Sequence, residues 1–167
     1  MADTALRDWL LPPLIDRLCD DDRRVSEESR DKRAVSEKKL RDSVLRDLGW
    51  LLNAPSLGGH LDAEAFPRVA RSVLNFGIPS FIGGFVQGHD PGTLERLMWD
   101  VVATFEPRIQ PDTLTVRLDT ADLQDGNTMI FRIEGELRLR PVPVRIAVRT
   151  EVDLDLGHIR VLSQPGY

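Results

Sequence analysis

Leu40, Val44, Leu45, Leu48, Leu51 and Leu52 recur at three- and four-residue intervals, with Lys38, Arg41, Asp42, Arg46 and Asp47 between them. That spacing places the apolar side chains on one face of a helix running from about Ser36 to Asn53. Pro55 stops it, because the residue before a proline is pushed out of the helical region. A short second helix is expected after Asp62 as cap, through Phe66, Val69, Ala70, Val73 and Leu74, with Gly77 closing it in a left-handed conformation. Asp90 and Pro91 then supply a cap and a first-turn proline for a third helix. Its buried stripe is Leu94, Leu97, Met98, Val101, Val102 and Phe105, and Glu106-Pro107-Arg108 breaks it.

Beyond Arg108 the period drops to two. Leu114, Val116 and Leu118 alternate with Thr115, Arg117 and Asp119, and Asp125-Gly126-Asn127 is a hairpin signal. Phe131, Ile133, Leu137 and Leu139 alternate with Arg132, Glu134, Arg138 and Arg140. After the break at Pro141-Val142-Pro143, the residues Val144, Ile146, Val148, Val152 and Leu154 make one face of a last strand. One-sided alternation predicts an antiparallel sheet with one face on the core and one in water. Helices followed by strands give an α+β fold, a two-layer sandwich with N-terminal helices packed on a small, mainly antiparallel C-terminal sheet. Val144–Leu154 is a long candidate edge of that sheet, although the alternation does not say which strand is outermost.

The start of the chain reads differently. Leu10, Leu11, Leu14, Ile15 and Leu18, interrupted by Pro12 and Pro13, make a short apolar anchor. From Asp20 to about Lys39 almost every side chain is polar, and acids and bases nearly cancel. Such a stretch buries too little to offset its ordering entropy, so it reads as a solvated linker or a solvent-exposed helix. The expected organisation is an anchor and charged linker over 1–38 and a packed domain over 39–167.

The chain has 167 residues, of which 41% are hydrophobic and 29% charged. This is enough apolar content for one core, and it excludes wholesale disorder. No apolar run approaches the roughly 20 residues that span a bilayer, so direct membrane insertion is not expected. The charged first residues show no secretory signal, and the single cysteine, Cys19, has no internal partner; both point to a cytoplasmic location. The net charge of −5 argues against general nucleic-acid binding, which rests on neutralising phosphates.

Little in the sequence has catalytic or ligand-binding spacing. His60, His89 and His158 lie far apart, each next to a glycine, and no pair has metal-ligand spacing. Neither Gly58-Gly59 nor Gly83-Gly84 is a phosphate loop, so no cofactor is expected. A glycosidase needs two carboxyl groups, one kept protonated by an apolar setting. Glu106 after Phe105 is the candidate acid, with Asp100 or Asp112 as its partner. Arg108, two residues away, favours the ionised form and weakens that assignment. Glu106-Pro107-Arg108 remains the most unusual local feature. Its proline fixes a turn that aims a carboxylate and a guanidinium, and arginine is enriched at interface hot spots.

Four stretches together resemble a known family: Leu11–Asp22, Ser43–Asn53, Ser72–Pro79 and, most specific, Phe105–Ile109 (FEPRI). They are similar to TssE, the small baseplate subunit of the bacterial type VI secretion system and a relative of a wedge protein of contractile phage tails. The resemblance implies a structural, non-enzymatic part of the baseplate wedge. It implies TssF, TssG and TssK as wedge partners, and a surface on which the TssB–TssC sheath begins to polymerise. Glu106, Pro107 and Arg108 match the family's motif and are implied as partner-contact residues. The family's lysozyme-like label finds no support in the carboxylates of this chain.

Overall fold

The structure is a computed structural model that describes Leu18 and residues 37–79, 90–119, 128–139 and 143–164. The anchor and charged linker, apart from Leu18, Glu37 and Lys38, lie outside the described residues. So does the Asp125-Gly126-Asn127 turn.

Helix α1 spans Glu37–Asn53, as the spacing predicts, and buries Val44, Leu48, Leu51 and Leu52. The segment that follows departs from expectation. Asp62 does not start a helix. Its carboxylate accepts the backbone N–H groups of Glu64 and Ala65 and closes a turn instead. A single turn, α2 (Pro67–Ala70), begins at Pro67, and a 3₁₀ turn covers Val73–Asn75. The apolar pattern that suggested one helix is split because Pro67 can only open a helix and Ser72 caps the second turn. Gly77 does have positive φ, at 121°, but as a close approach rather than a helix cap. A Cβ there would sit 2.2 Å from the Ala54 carbonyl oxygen. This contact lets Pro55 and Ile78 form a parallel bridge that closes the whole excursion.

Helix α3 spans Pro91–Phe105 and starts as expected. The Asp90 side chain accepts from the Thr93 N–H at 3.0 Å and from the Thr93 hydroxyl at 2.6 Å. These bonds favour the ionised carboxylate, so its pKa lies below the usual value.

Four strands follow: β1 (Thr115–Asp119), β2 (Thr128–Leu137), β3 (Val144–Asp153) and β4 (Ile159–Ser163). They form an antiparallel meander in the order β1-β2-β3-β4. The helices pack on one face, α1 against β3 and β4 and α3 against β1. Between the layers lie Met98 and Val102 of α3, Leu48 and Leu52 of α1, and Phe131, Ile133, Val148 and Val152 of the sheet. This is the expected α+β two-layer arrangement.

The edge assignment needs correction. β3 is an inner strand, paired along its length with β2 and from Val148 to Val152 with β4. The five residues of β4 are too short and too mixed in polarity to show a period-two signal. The turn that brings β4 back is set by Asp153, whose carboxylate accepts the N–H groups of Asp155 and Leu156, and by Gly157 at positive φ.

Candidate functional site

The helix α3 ends where the Glu106 N–H donates to the Val102 carbonyl at 2.9 Å. Pro107 then turns the chain outward and is itself exposed. Residues 108–110 return as a short addition to the end of β2. The Arg138 N–H donates to the Arg108 carbonyl and the Gln110 N–H to the Glu136 carbonyl, both at 2.8 Å. Gly135 makes room for this, since a Cβ there would lie 2.8 Å from Cγ2 of Ile109.

Within that frame Glu106 is buried, its residue only 3% exposed. Its Oε1 accepts the Arg108 backbone N–H at 3.1 Å and Nε at 2.7 Å, and its Oε2 accepts Nη2. The same guanidinium continues to α1. Nη2 lies 2.7 Å from Asp47 Oδ2, and Nη1 donates to the Ser43 hydroxyl at 3.2 Å. Asp47 Oδ1 accepts in turn from Nε and Nη2 of Arg46, whose guanidinium lies 4.8 Å from the Trp50 ring centroid. The result is a row of alternating charges, Glu106–Arg108–Asp47–Arg46, ending on a half-exposed tryptophan. Burial disfavours the Arg108 charge, but the hydrogen bonds and attraction of Glu106, and then of Asp47, outweigh it and hold the group above its ordinary pKa.

This geometry does not suit a general acid. The Glu106 oxygens face a guanidinium rather than an open cleft. The carboxylate that shares its partner is Asp47, with Arg108 filling the space where a scissile bond would lie. Asp100 and Asp112 are exposed, on α3 and in the turn before β1. His60 and His158 are exposed, and His89 lies outside the described residues. Among the described residues no group of three or more His, Cys, Asp or Glu side chains could hold a metal ion. Among them, too, no helix is long and apolar enough to cross a membrane.

The second notable surface is the sheet's margins, which differ. Helix α3 covers the outer edge of β1: Trp99 Nε1 donates to the Leu114 carbonyl at 3.0 Å, and Glu95 Oε1 accepts the Leu118 N–H at 2.9 Å. At β4 only one end is covered. The Asn53 amide, at the end of α1, imitates a strand residue: Oδ1 accepts the Ile159 N–H at 2.9 Å and Nδ2 donates to the Ile159 carbonyl at 2.8 Å. On the inner side the Gln164 N–H donates to the Ala147 carbonyl. The alternation of an antiparallel strand then turns the backbone groups of Val161 and Ser163 outward, to the same side as Ile159. Those of Val161 and Ser163 are left open among the described residues. Neither the Arg108–Asp47 link nor the open β4 edge was visible in the sequence. Asp47 reads there as one polar residue of a solvated helix face.

The family model for baseplate wedge protein gp25 matches residues 38–142. This chain belongs to that family. Among curated proteins none matches significantly. A solved structure described as a candidate tail lysozyme from Geobacter sulfurreducens is similar at 15% identity and a TM-score of 0.45, covering 72% of this chain and 95% of that one. The family match spans α1 through the end of β2, and so includes the whole Glu106–Arg108 turn with the α1 residues it grips. The resemblance to TssE-type baseplate proteins is thereby borne out. The gp25 family is one of structural baseplate proteins, and a structural part in a phage-tail-like baseplate follows for this member.

Proposed function

We propose that this gp25-family chain is a baseplate subunit of a bacterial type VI secretion system, working in the cytoplasm without catalytic activity. It binds TssF, TssG and TssK in the wedge and starts polymerisation of the TssB–TssC sheath. Residues 1–38 tether the wedge domain of 39–167 to this assembly. Glu106, Pro107 and Arg108 act at the wedge or sheath contact. Glu106 works from within by holding Arg108, while Pro107 and the outer rim of Arg108 form the touching surface.

The observation that carries the sheath part is the open β4 edge. An exposed edge accepts a strand from another chain through main-chain hydrogen bonds, a recurrent recognition mode. With β1 covered by α3 and Ile159 covered by Asn53, the place for an incoming strand is Val161–Ser163. Ser163→Pro tests it. Proline removes a backbone N–H that has no partner among the described residues, and edge strands tolerate it. The variant should fold normally yet fail to form sheaths, seen with a fluorescent sheath subunit in the native host. Normal sheaths with this variant would refute the edge's role. A glycosidase reading has no comparable support, because Arg108 occupies the gap between the two carboxylates.

A further inference from the structure

The excursion between the Pro55–Ile78 bridge partners carries apolar side chains that the fold does not use. Val73 is 82% exposed, Leu74 70% and Phe66 58%. Such neighbouring apolar groups on a soluble domain mark a contact surface rather than a folding need. They are also held in place. The Ser72 hydroxyl accepts the Leu74 N–H, and the Asn75 amide accepts the Leu57 N–H at 3.0 Å and donates to the Ala70 carbonyl at 2.9 Å. Phe76 packs edge-to-face on Phe105, with ring centroids 5.5 Å apart. A surface ordered in advance loses little entropy when it is covered.

Charge says what covers it. From Phe66 to Phe76 the sequence holds two arginines, Arg68 and Arg71, and no acid, on a chain whose net charge is −5. Both arginines are exposed, and among the described residues neither has an ion pair or a side-chain hydrogen bond. Some exposed arginines elsewhere are answered locally, Arg132 by Asp119 and Arg160 by Glu151, while Arg96 and Arg138 stand singly among the described residues; Arg68 and Arg71 flank exposed apolar side chains. We propose that Phe66, Val73 and Leu74, flanked by Arg68 and Arg71, form a docking surface for an acidic, amphipathic segment of another protein. Its apolar face covers the three side chains and its carboxylates meet the two guanidinium groups, as in helix-in-groove recognition. Three apolar side chains and two cations are a small anchor for an anionic membrane, so a protein partner is the favoured occupant.

This surface lies apart from the β4 edge and Ser163, so its test is independent of sheath formation. A photo-crosslinking amino acid is placed at Val73 of the full chain in its native host, and the crosslinked peptide is sequenced. A segment of a different protein that combines apolar and acidic residues is the expected product. Arg68→Glu with Arg71→Glu should cut its yield at least fivefold, while Arg96→Glu on α3 leaves it unchanged. A crosslink to this chain's own residues 1–36 or 80–89, to a second copy or to lipid would overturn the proposal. So would a yield no higher than from the same probe at Glu64, or one indifferent to the double charge reversal. All these side chains are exposed, and unchanged circular dichroism establishes that each variant folds.

Discussion

Arg108 reaches from the turn after α3 to Asp47 on the second half of α1, with Nη2 2.7 Å from Asp47 Oδ2, while Nε and Nη2 also hold Glu106 and Nη1 donates to the Ser43 hydroxyl. One guanidinium therefore links α1 to the end of α3, two helices separated by 37 positions from Asn53, which ends the first, to Asp90, which caps the second. The link depends on both carboxylates, but not equally.

Glu106→Ala leaves Arg108 half-buried with its closer partner gone. Breaking a fully buried pair costs about 3–5 kcal/mol, and the Arg108 side chain, 24% exposed, keeps Asp47 and some water. A loss of about 2–3 kcal/mol in urea denaturation is expected. Asp47→Ala leaves the Glu106 pair intact and should cost about 1 kcal/mol or less. Equal losses from the two variants would contradict this ranking.

Asp90 makes the start of α3 sensitive to acid. Its folded pKa lies below the ordinary 3.8, because the Thr93 hydroxyl and N–H favour the carboxylate. The stabilisation is therefore present above the unfolded pKa and is lost as pH falls through the folded one. Asp90→Ala should lower Tm at neutral pH, and the gap to the parent should narrow as the pH drops below 3.8. A gap that is constant with pH would show that the ionised cap is not what stabilises the helix.

Gly77→Ala meets two obstacles. Its φ of 121° is strained for any L side chain, and the new Cβ would fall 2.2 Å from the Ala54 carbonyl oxygen. Loss of about 2 kcal/mol or more is expected, read as a shift in the urea midpoint. Amide exchange should locate the damage at Ser56 and Ile78, whose N–H groups close the excursion.

Asn53→Ala removes the amide that holds Ile159, together with a bond to the Gly49 carbonyl at 2.7 Å. The cost should be about 1–3 kcal/mol, because the Ile159 groups it satisfies are partly buried. Exchange of the Ile159 amide should rise by at least tenfold relative to that of Leu162, which faces β3. Similar acceleration at both would mean that β4 detaches as a whole.

The layers, the α3 cap and the strands β1 to β3 were legible because each is written in local periodicity or in a cap. Leu94, Met98 and Val102 repeat at helical spacing, and Ile146 and Val148 at strand spacing. What was not legible depends on distant pairs. Arg108 and Asp47 are 61 positions apart, and Asn53 and Ile159 are 106 apart, so no window along the chain contains both partners. The break at Pro67 shows the other limit. The apolar positions from Phe66 to Leu74 fit one helix, but a proline and a capping serine divide them, and the side chains of Phe66, Val73 and Leu74 face solvent rather than core.

The unequal margins of the sheet make it a one-way socket. A sheet with two open edges can pass its hydrogen bonding from copy to copy without end, which is the geometry of fibres. Here α3 shuts the β1 side, so a strand arriving at β4 finds no second doorway through which the ladder could continue. Two copies meeting edge to edge at β4 would close on each other and stop. Among the described residues, the sheet therefore offers strand pairing on one side only.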